Sequence, residues 1–344
     1  MIRLPGKLPP SILEKLFFFV QPENSRVIIP PKVGEDAGVV DIRDTEIMAA
    51  HSDPITASSN RIGWLSIHVS ANDIAASGLR PIWFLTTIIL PEGTGESMIS
   101  AIANDIERAL KEIGGILIGG HTEFSDSVTR PVISTTAIGI GNRNNLTPTF
   151  NAKPGDVIIM TKMAALEATS IAAHELSEFL LQRGVSETEL DEAKKYINKI
   201  SVVPEAIALS SKRLANAMHD ATEGGIGVAA FEISYASGWA VEIQRDLVRT
   251  SDVTRKIMKI IGADPLFSLS SGTLLATVPS NRVKEAIDTL ASIEVESTII
   301  GSVLNKREKK LYLRERGGKE TTISDLMQDD FIKRLCEIER TPKR

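Results

Sequence analysis

The sequence predicts an α/β protein of the α+β kind, built as two domains. Three observations lead there. The chain has 344 residues, a length that suits two domains or one large one. Apolar, β-branched runs alternate with helix-period segments in both halves. Between the halves lies NRNNLTPTFNAKPG (142–155), a polar stretch rich in Asn, Pro and Gly. The expected division is 1–150, 151–310 and a tail at 311–344.

The elements follow in order. SILEKLFFFV (11–20) predicts a short helix, and RVIIP (26–30) and EIMAAHSDP (46–54) predict strands joined by GEDAGVVDIRD. Residues 61–78 predict a helix stopped by Gly78, with Pro81 just beyond. PIWFLTTIILP (81–91) is β-branched, aromatic and bounded by prolines, so it predicts a strand. Ile99, Ile102, Ile106, Leu110 and Ile113 recur at helical spacing and predict a helix over 96–113. GGILIGGHTEF (114–124) predicts a strand entering a glycine-rich turn, and 128–141 another strand. The second half opens with a strand at 156–162 and helices at 165–183, 187–199 and 203–217. MHDATEGGIGVAAFEISYASG (218–238) reads as a turn feeding a helix. Short strands and helices alternate to about 316, and 322–340 predicts a last helix.

Composition narrows the class. Hydrophobic residues make up 42% and charged residues 24%, ordinary values for a soluble globular protein. A net charge of −5 argues against nucleic acid or an anionic membrane as the main partner. No apolar run is long enough to span a bilayer. The one cysteine, Cys336, can form neither an internal disulfide nor a zinc cluster, and sits in a segment where it reads as inert. The N-terminus lacks the plan of a signal peptide. The expectation is a cytoplasmic protein.

Acids next to small residues carry the chemistry: Asp36 in GEDAG, Asp53 in HSDP and Asp73 in SANDIAASGLRP. The bland reading is turn formation or helix capping. Asp53 before Pro54 suits a turn, and Asp73 could be a solvated helix residue. The functional reading is a divalent-metal and phosphate site, since Mg²⁺ takes a few carboxylates plus phosphate oxygens. GGHTE (119–123) sets His121 and Glu123 at a strand end, and HDATEGG (219–225) sets Asp220 before a glycine-rich helix start. Lys162 and Arg80 read as surface charges. No Walker A, dinucleotide fingerprint, GxSxG, HExxH or CxxC occurs.

Taken in order, GEDAGVV, HSDP, NDIAASGLRP, GGHTE and HDATEGG resemble the signature of the aminoimidazole-ribonucleotide-synthetase (PurM-like) superfamily, over about residues 30–305. The spacing is most similar to the hydrogenase-maturation branch and to archaeal synthetase-related proteins. The resemblance implies an N-terminal α/β domain that dimerises through its strands and a ferredoxin-like C-terminal α/β domain. It implies ATP and Mg²⁺ (or Mn²⁺) in a cleft partly built by the dimer mate. By position it makes Asp36, Asp53, Asp73 and Asp220 metal ligands, with Asn72, Thr222, Gly224 and Gly225 near nucleotide phosphate. Asp53, His121 and Glu123 become the candidate catalytic residues, with a carboxylate or His121 orienting the nucleophile. Glu35 stands where the family has a first Asp. Cys336 lies eight residues from the end, unlike the branch's terminal acceptor cysteine, and no cysteine precedes it.

The resulting expectation is a homodimeric, metal-dependent enzyme acting on a nucleotide or other phosphate compound. With no visible acceptor, hydrolysis carries weight beside phosphoryl transfer. The alternative is an ATP-binding maturation or regulatory partner with little turnover.

Overall fold

The computed structural model describes residues 25–340, apart from 31, 44, 57, 59 and 326. The helix expected over 11–20 lies outside the described residues. The first half forms a six-stranded sheet of order β1-β2-β3-β6-β4-β5. Its strands are β1 (Val27–Ile29), β2 (Gly38–Arg43), β3 (Glu46–Ile55), β4 (Arg80–Pro91), β5 (Ile116–Ser125) and β6 (Val132–Asn142). Only β4 and β5 run parallel; α2 (Glu96–Ile113) makes the crossover that a parallel pair requires. Ile102, Ile106, Ala109, Leu110 and Ile113 form its buried stripe, and Gly114, at φ 70°, ends it.

Two expectations for this sheet change. GVVDIR is a strand, not a connector, because its valines pair with both β1 and β3. GGHTE is mid-strand, not a turn. A Cβ on Gly120 would lie 2.2 Å from the Thr86 carbonyl, so glycine there lets β5 lie close on β4.

The helix α1 (Ile62–Ala76) is buried along its whole length. It lies against β3 and β6 on one side and against the second half on the other. That explains why its sequence lacks an amphipathic stripe. Several of its polar groups are tied individually, although neither ring nitrogen of His68 has a hydrogen-bond partner among the described residues. Ser70 donates to the Thr135 carbonyl at 3.0 Å, and the Trp64 indole donates to the Ile197 carbonyl at 2.9 Å. Leu65, Ile67 and Ile74 share one hydrophobic core with Ile200, Val202, Val203 and Met218. The two halves are thus joined by a continuous apolar seam.

The second half builds a seven-stranded sheet of order β13-β12-β9-β11-β7-β10-β8. Its strands are β7 (Val157–Thr161), β8 (Ala217–Ala221), β9 (Val241–Gln244), β10 (Thr273–Val278), β11 (Ser297–Val303), β12 (Leu311–Arg314) and β13 (Glu320–Ile323). The expected helix over 165–183 breaks into α3 (Leu166–Glu175) and α4 (Ser177–Leu181). Next come α5 (Glu187–Lys195), opened by a capping box of Ser186 and Glu189, and α6 (Val203–Ser211). The end of the segment expected as a helix over 203–217 turns instead into β8, which pairs with β10. After β8 stand α7 (Gly225–Ser237), α8 (Asp252–Ile261), α9 (Val283–Ser292) and α10 (Asp330–Arg340). Residues 311–323 therefore extend the second sheet, and only 330–340 of the predicted terminal helix is helical. Lys162 is not a surface charge: its Nζ lies 2.6 Å from Glu205, whose side chain is 1% exposed. Among the described residues, no helix is long and apolar enough to cross a membrane.

Two outcomes follow from the seam. Asn72 is fully buried, donates to the Ile200 carbonyl at 2.9 Å and accepts from the Val202 N–H at 2.8 Å. Asn72→Ala leaves both backbone groups unsatisfied and should cost about 2–4 kcal/mol in urea unfolding. His68 is fully buried beside Trp64, and burial, with the Lys162 and Arg61 charges, lowers its pKa to about 3. The unfolded chain protonates there near pH 6.5 and the folded chain does not, so this contribution is complete above pH 6.5 and lost as pH falls toward 3. His68→Gln should remove a slope of up to about 1.4 kcal/mol per pH unit between pH 6 and 4, read by urea melts of both chains.

Candidate functional site

Asp36 lies in the loop between β1 and β2. Gly34, at φ 84°, lets this loop press on α7: a Cβ there would be 2.9 Å from the Glu232 carbonyl oxygen. The approach brings Asp36 to His219 on β8. The His219 Nδ1 is 3.0 Å from Asp36 Oδ1, and its Nε2 is 3.2 Å from Glu232 Oε2. All three side chains are buried. Burial alone would lower the imidazole pKa; Asp36 and Glu232 outweigh it and raise the pKa well above its ordinary value. His219 is thus clamped between a carboxylate of each half.

Asp36, His219 and Asp220 each place one ligand atom within 4.8 Å of the others. The donors this group offers a metal are the Asp36 and Asp220 carboxylates and a ring nitrogen of His219. Asp36 Oδ2 is buried with no hydrogen-bond partner among the described residues, as a metal ligand awaiting its ion would be. A second group joins His51 and Asp53 on β3 to Asp73 on α1, again with ligand atoms within 4.8 Å. The His51 Nε2 is 3.4 Å from Asp73 Oδ2. Neither bland reading of these acids holds: Asp53 is inside a strand, paired with Thr135, and Asp73 is 7% exposed. Carboxylate-rich donor sets of this kind fit Mg²⁺ or Mn²⁺.

The other candidates are placed unevenly. Thr222 and Gly224 form the turn from β8 into α7, with Gly225 the first residue of that helix; Gly224 and Gly225 have φ of 79° and 61°. A Cβ on Gly225 would lie 2.5 Å from the Ser268 carbonyl, so only glycine fits. Asn72 is one residue from Asp73, but its amide faces the backbone of the second half. His121 and Glu123 are exposed on β5 and contact each other at 3.1 Å. In register, Asp53 aligns through Thr135 and Thr86 with Gly120, three strands away. At strand spacing that is about 14 Å, and His121 points to the opposite sheet face. One chain therefore does not bring His121 and Glu123 to the acids.

Glu35 does different work from the Asp it replaces. Its carboxylate accepts from the Thr149 and Phe150 N–H groups at 3.1 and 2.8 Å, anchoring the interdomain connection. Burial, then the charge of Asp36, raises its pKa to about 7. The longer side chain reaches away from Asp36 to the connector.

Four more charged residues belong to the site's surroundings. His219 was visible beside Asp220 in HDATEGG, and His51 beside Asp53 in HSDP. Glu167, at the start of α3, and Asp329, before α10, carried no signal in the sequence. Burial raises the Glu167 pKa to about 7, opposed by Ser271 and reinforced by the charges of Asp53 and Glu223. Asp329 is also raised to about 7 by burial, against N–H bonds from Ile332 and Gly224 and with Glu223 and Glu167 adding to it. Carboxyls from both halves thus influence one region.

Comparison with known proteins agrees with this architecture. Residues 34–141 match the N-terminal domain of AIR synthase related proteins, and residues 153–314 match the C-terminal domain. A putative hydrogenase expression/formation protein of Methanocaldococcus jannaschii is 29% identical over 311 residues, covering 88% of each chain. A thiamine-monophosphate kinase of Pyrococcus horikoshii is 28% identical over 296 residues, covering 81% of this chain and 87% of the kinase. Among solved structures, the hydrogenase maturation protein HypE in complex with ATP superposes with a TM-score of 0.70 at 21% identity, covering 94% of this chain and 96% of that one. Two matched domains spanning most of the sequence, on the fold and acid arrangement described above, place this chain in the AIR synthase related (PurM-like) family.

Proposed function

We propose that this chain is a divalent-metal-dependent enzyme that uses ATP, transferring or activating a phosphoryl group. The observation that carries the reading is the pair of acid clusters at the seam, Asp36 with Asp220 and Asp53 with Asp73. A metal bound there would neutralise phosphate charge. The chain's own residues would orient it: Asp36 fixed by the His219 clamp, Asp220 by β8, and Asp53 and Asp73 by β3 and α1. The names of the similar proteins support ATP use, since one is a kinase and another was solved with ATP. Simple phosphate hydrolysis, expected from the missing acceptor cysteine, finds no support among them. A second reading is kept because the M. jannaschii relative is described as an expression/formation protein: an ATP-binding maturation partner with little turnover.

The other proposed partner is a second copy of this chain. The β5 strand supports it, with Ile116, Leu117, Ile118 and Phe124 between 44% and 57% exposed on an edge strand. Such an edge invites pairing or cover. Across such an interface His121 and Glu123 of one copy could meet the acids of the other.

Calorimetric titration with Mn²⁺ should show tight binding that Asp36→Asn and Asp53→Asn each weaken about tenfold or more. Mg²⁺ with ATP at a hundred times Kd should stabilise the wild type by about 2.7 kcal/mol, and Asp53→Asn much less. Absence of both effects would leave the acids as structural. Stabilisation without ADP formation in the presence of any candidate acceptor would favour the maturation partner. Light scattering should give a dimer for the wild type and a monomer for Ile118→Glu/Phe124→Glu.

A further inference from the structure

The Gly224 N–H, at the mouth of α7, is already occupied. Asp329 Oδ2 accepts from it at 2.7 Å, while Asp329 Oδ1 accepts from the Ile332 N–H at 2.8 Å. One carboxylate, 3% exposed, thus caps α7 and α10 together. The neighbouring Asp330 accepts from the Asp264 N–H at 2.8 Å, and Phe331 and Leu335 bury the inner face of α10. The segment before and through α10 is therefore docked on the turn that carries Thr222, Gly224 and Gly225.

That docking is held against opposing forces. Asp329 is desolvated and lies within the influence of the Glu223 and Glu167 charges, which together raise its pKa to about 7. Glu167 is 4% exposed, and its Oε2 has no hydrogen-bond partner among the described residues. A buried carboxylate oxygen without a donor, beside further acids, suits an arriving cation. A metal–phosphate complex would supply that cation, and its phosphate would replace Asp329 at the Gly224 N–H. A single N–H cannot serve both anions at full strength.

We propose that residues 329–338 form a latch on the phosphate turn, with Asp329 as an internal anion that substrate phosphate must displace. This rests on the ATP reading above and adds regulation to it: the nucleotide site is complete only when the tail has moved. The competing explanation is that Asp329 simply caps two helices and phosphate binds elsewhere.

The full chain supplies its own reporter, because Cys336 is the only cysteine and lies on α10, partly exposed. The comparison is wild type against Asp329→Asn, which keeps the shape and a capping oxygen but removes the charge. Asp330→Asn, which loosens the same segment without touching Gly224, guards against a folding defect in the first variant. The probes are a non-hydrolysable ATP analogue with Mg²⁺ and inorganic pyrophosphate, with affinity read by calorimetry and tail release by the rate of Cys336 thiol labelling. The latch requires both variants to bind the analogue more tightly, about tenfold if the open state is the minor one. It also requires ligand to accelerate Cys336 labelling in the wild type. Equal or weaker binding by both variants, or binding with no change in labelling, overturns the latch and leaves the ATP reading standing. No binding of either probe by any of the three chains sinks both.

Discussion

The burial of α1 on every side governs the rest of the molecule. A helix between a sheet and a second domain has no solvent face, so a polar side chain on it either finds a partner in protein or, like His68, is held neutral by burial. Trp64, Ser70 and Asn72 find backbone carbonyls or N–H groups, two of them in the opposite half. These bonds fix the helix in rotation as well as position. Asp73, next to Asn72, is then held where β3 presents His51 and Asp53. The second acid group is thus a consequence of how the two halves are sewn together.

Buried charge supplies the other half of the logic. Carboxylates from both halves meet at low exposure, and uncompensated they would repel and resist desolvation. His219 answers this locally by sitting between Asp36 and Glu232, which raise its pKa well above the ordinary value. At Glu35, Glu167 and Asp329 no neighbouring cation outweighs burial, and all three are raised to about 7. Their neutral forms are accessible near physiological pH, so the region can hold more acids than a fully ionised cluster could. The divalent cation proposed there would reverse the local balance of charge.

The two outer surfaces of the molecule behave differently. The second sheet is sealed at its β10-β8 end, where both strands are buried at every residue, and open at β13. The first sheet ends in β5, whose residues are exposed almost throughout. Gly119 and Gly120 let that edge strand follow β4 closely without a side chain between them. The candidate residues His121 and Glu123 lie on this open strand, and their role depends on what meets it.

By itself the sequence determined the two-domain α/β plan, and it put forward a break near 142–155 and the acids Asp36, Asp53, Asp73 and Asp220 as candidates. These are local signals: hydrophobic period, glycine and proline punctuation, and short motifs in a fixed order. It also placed the amphipathic α2 nearly residue for residue, because one face of that helix meets water and the pattern survives. Only the tertiary structure decided that α1 is buried all round, since uniform apolarity hides which neighbour covers which face. It turned GVVDIR and AMHDA into strands, because strand identity there depends on partners distant in sequence. It separated His121 and Glu123 from Asp53 by three strands, a distance that motif order cannot express. It also brought in Glu232, Glu167 and Asp329, which carry no motif. Their place at the site comes from long-range packing, and a buried charge is recognised only once its surroundings are known.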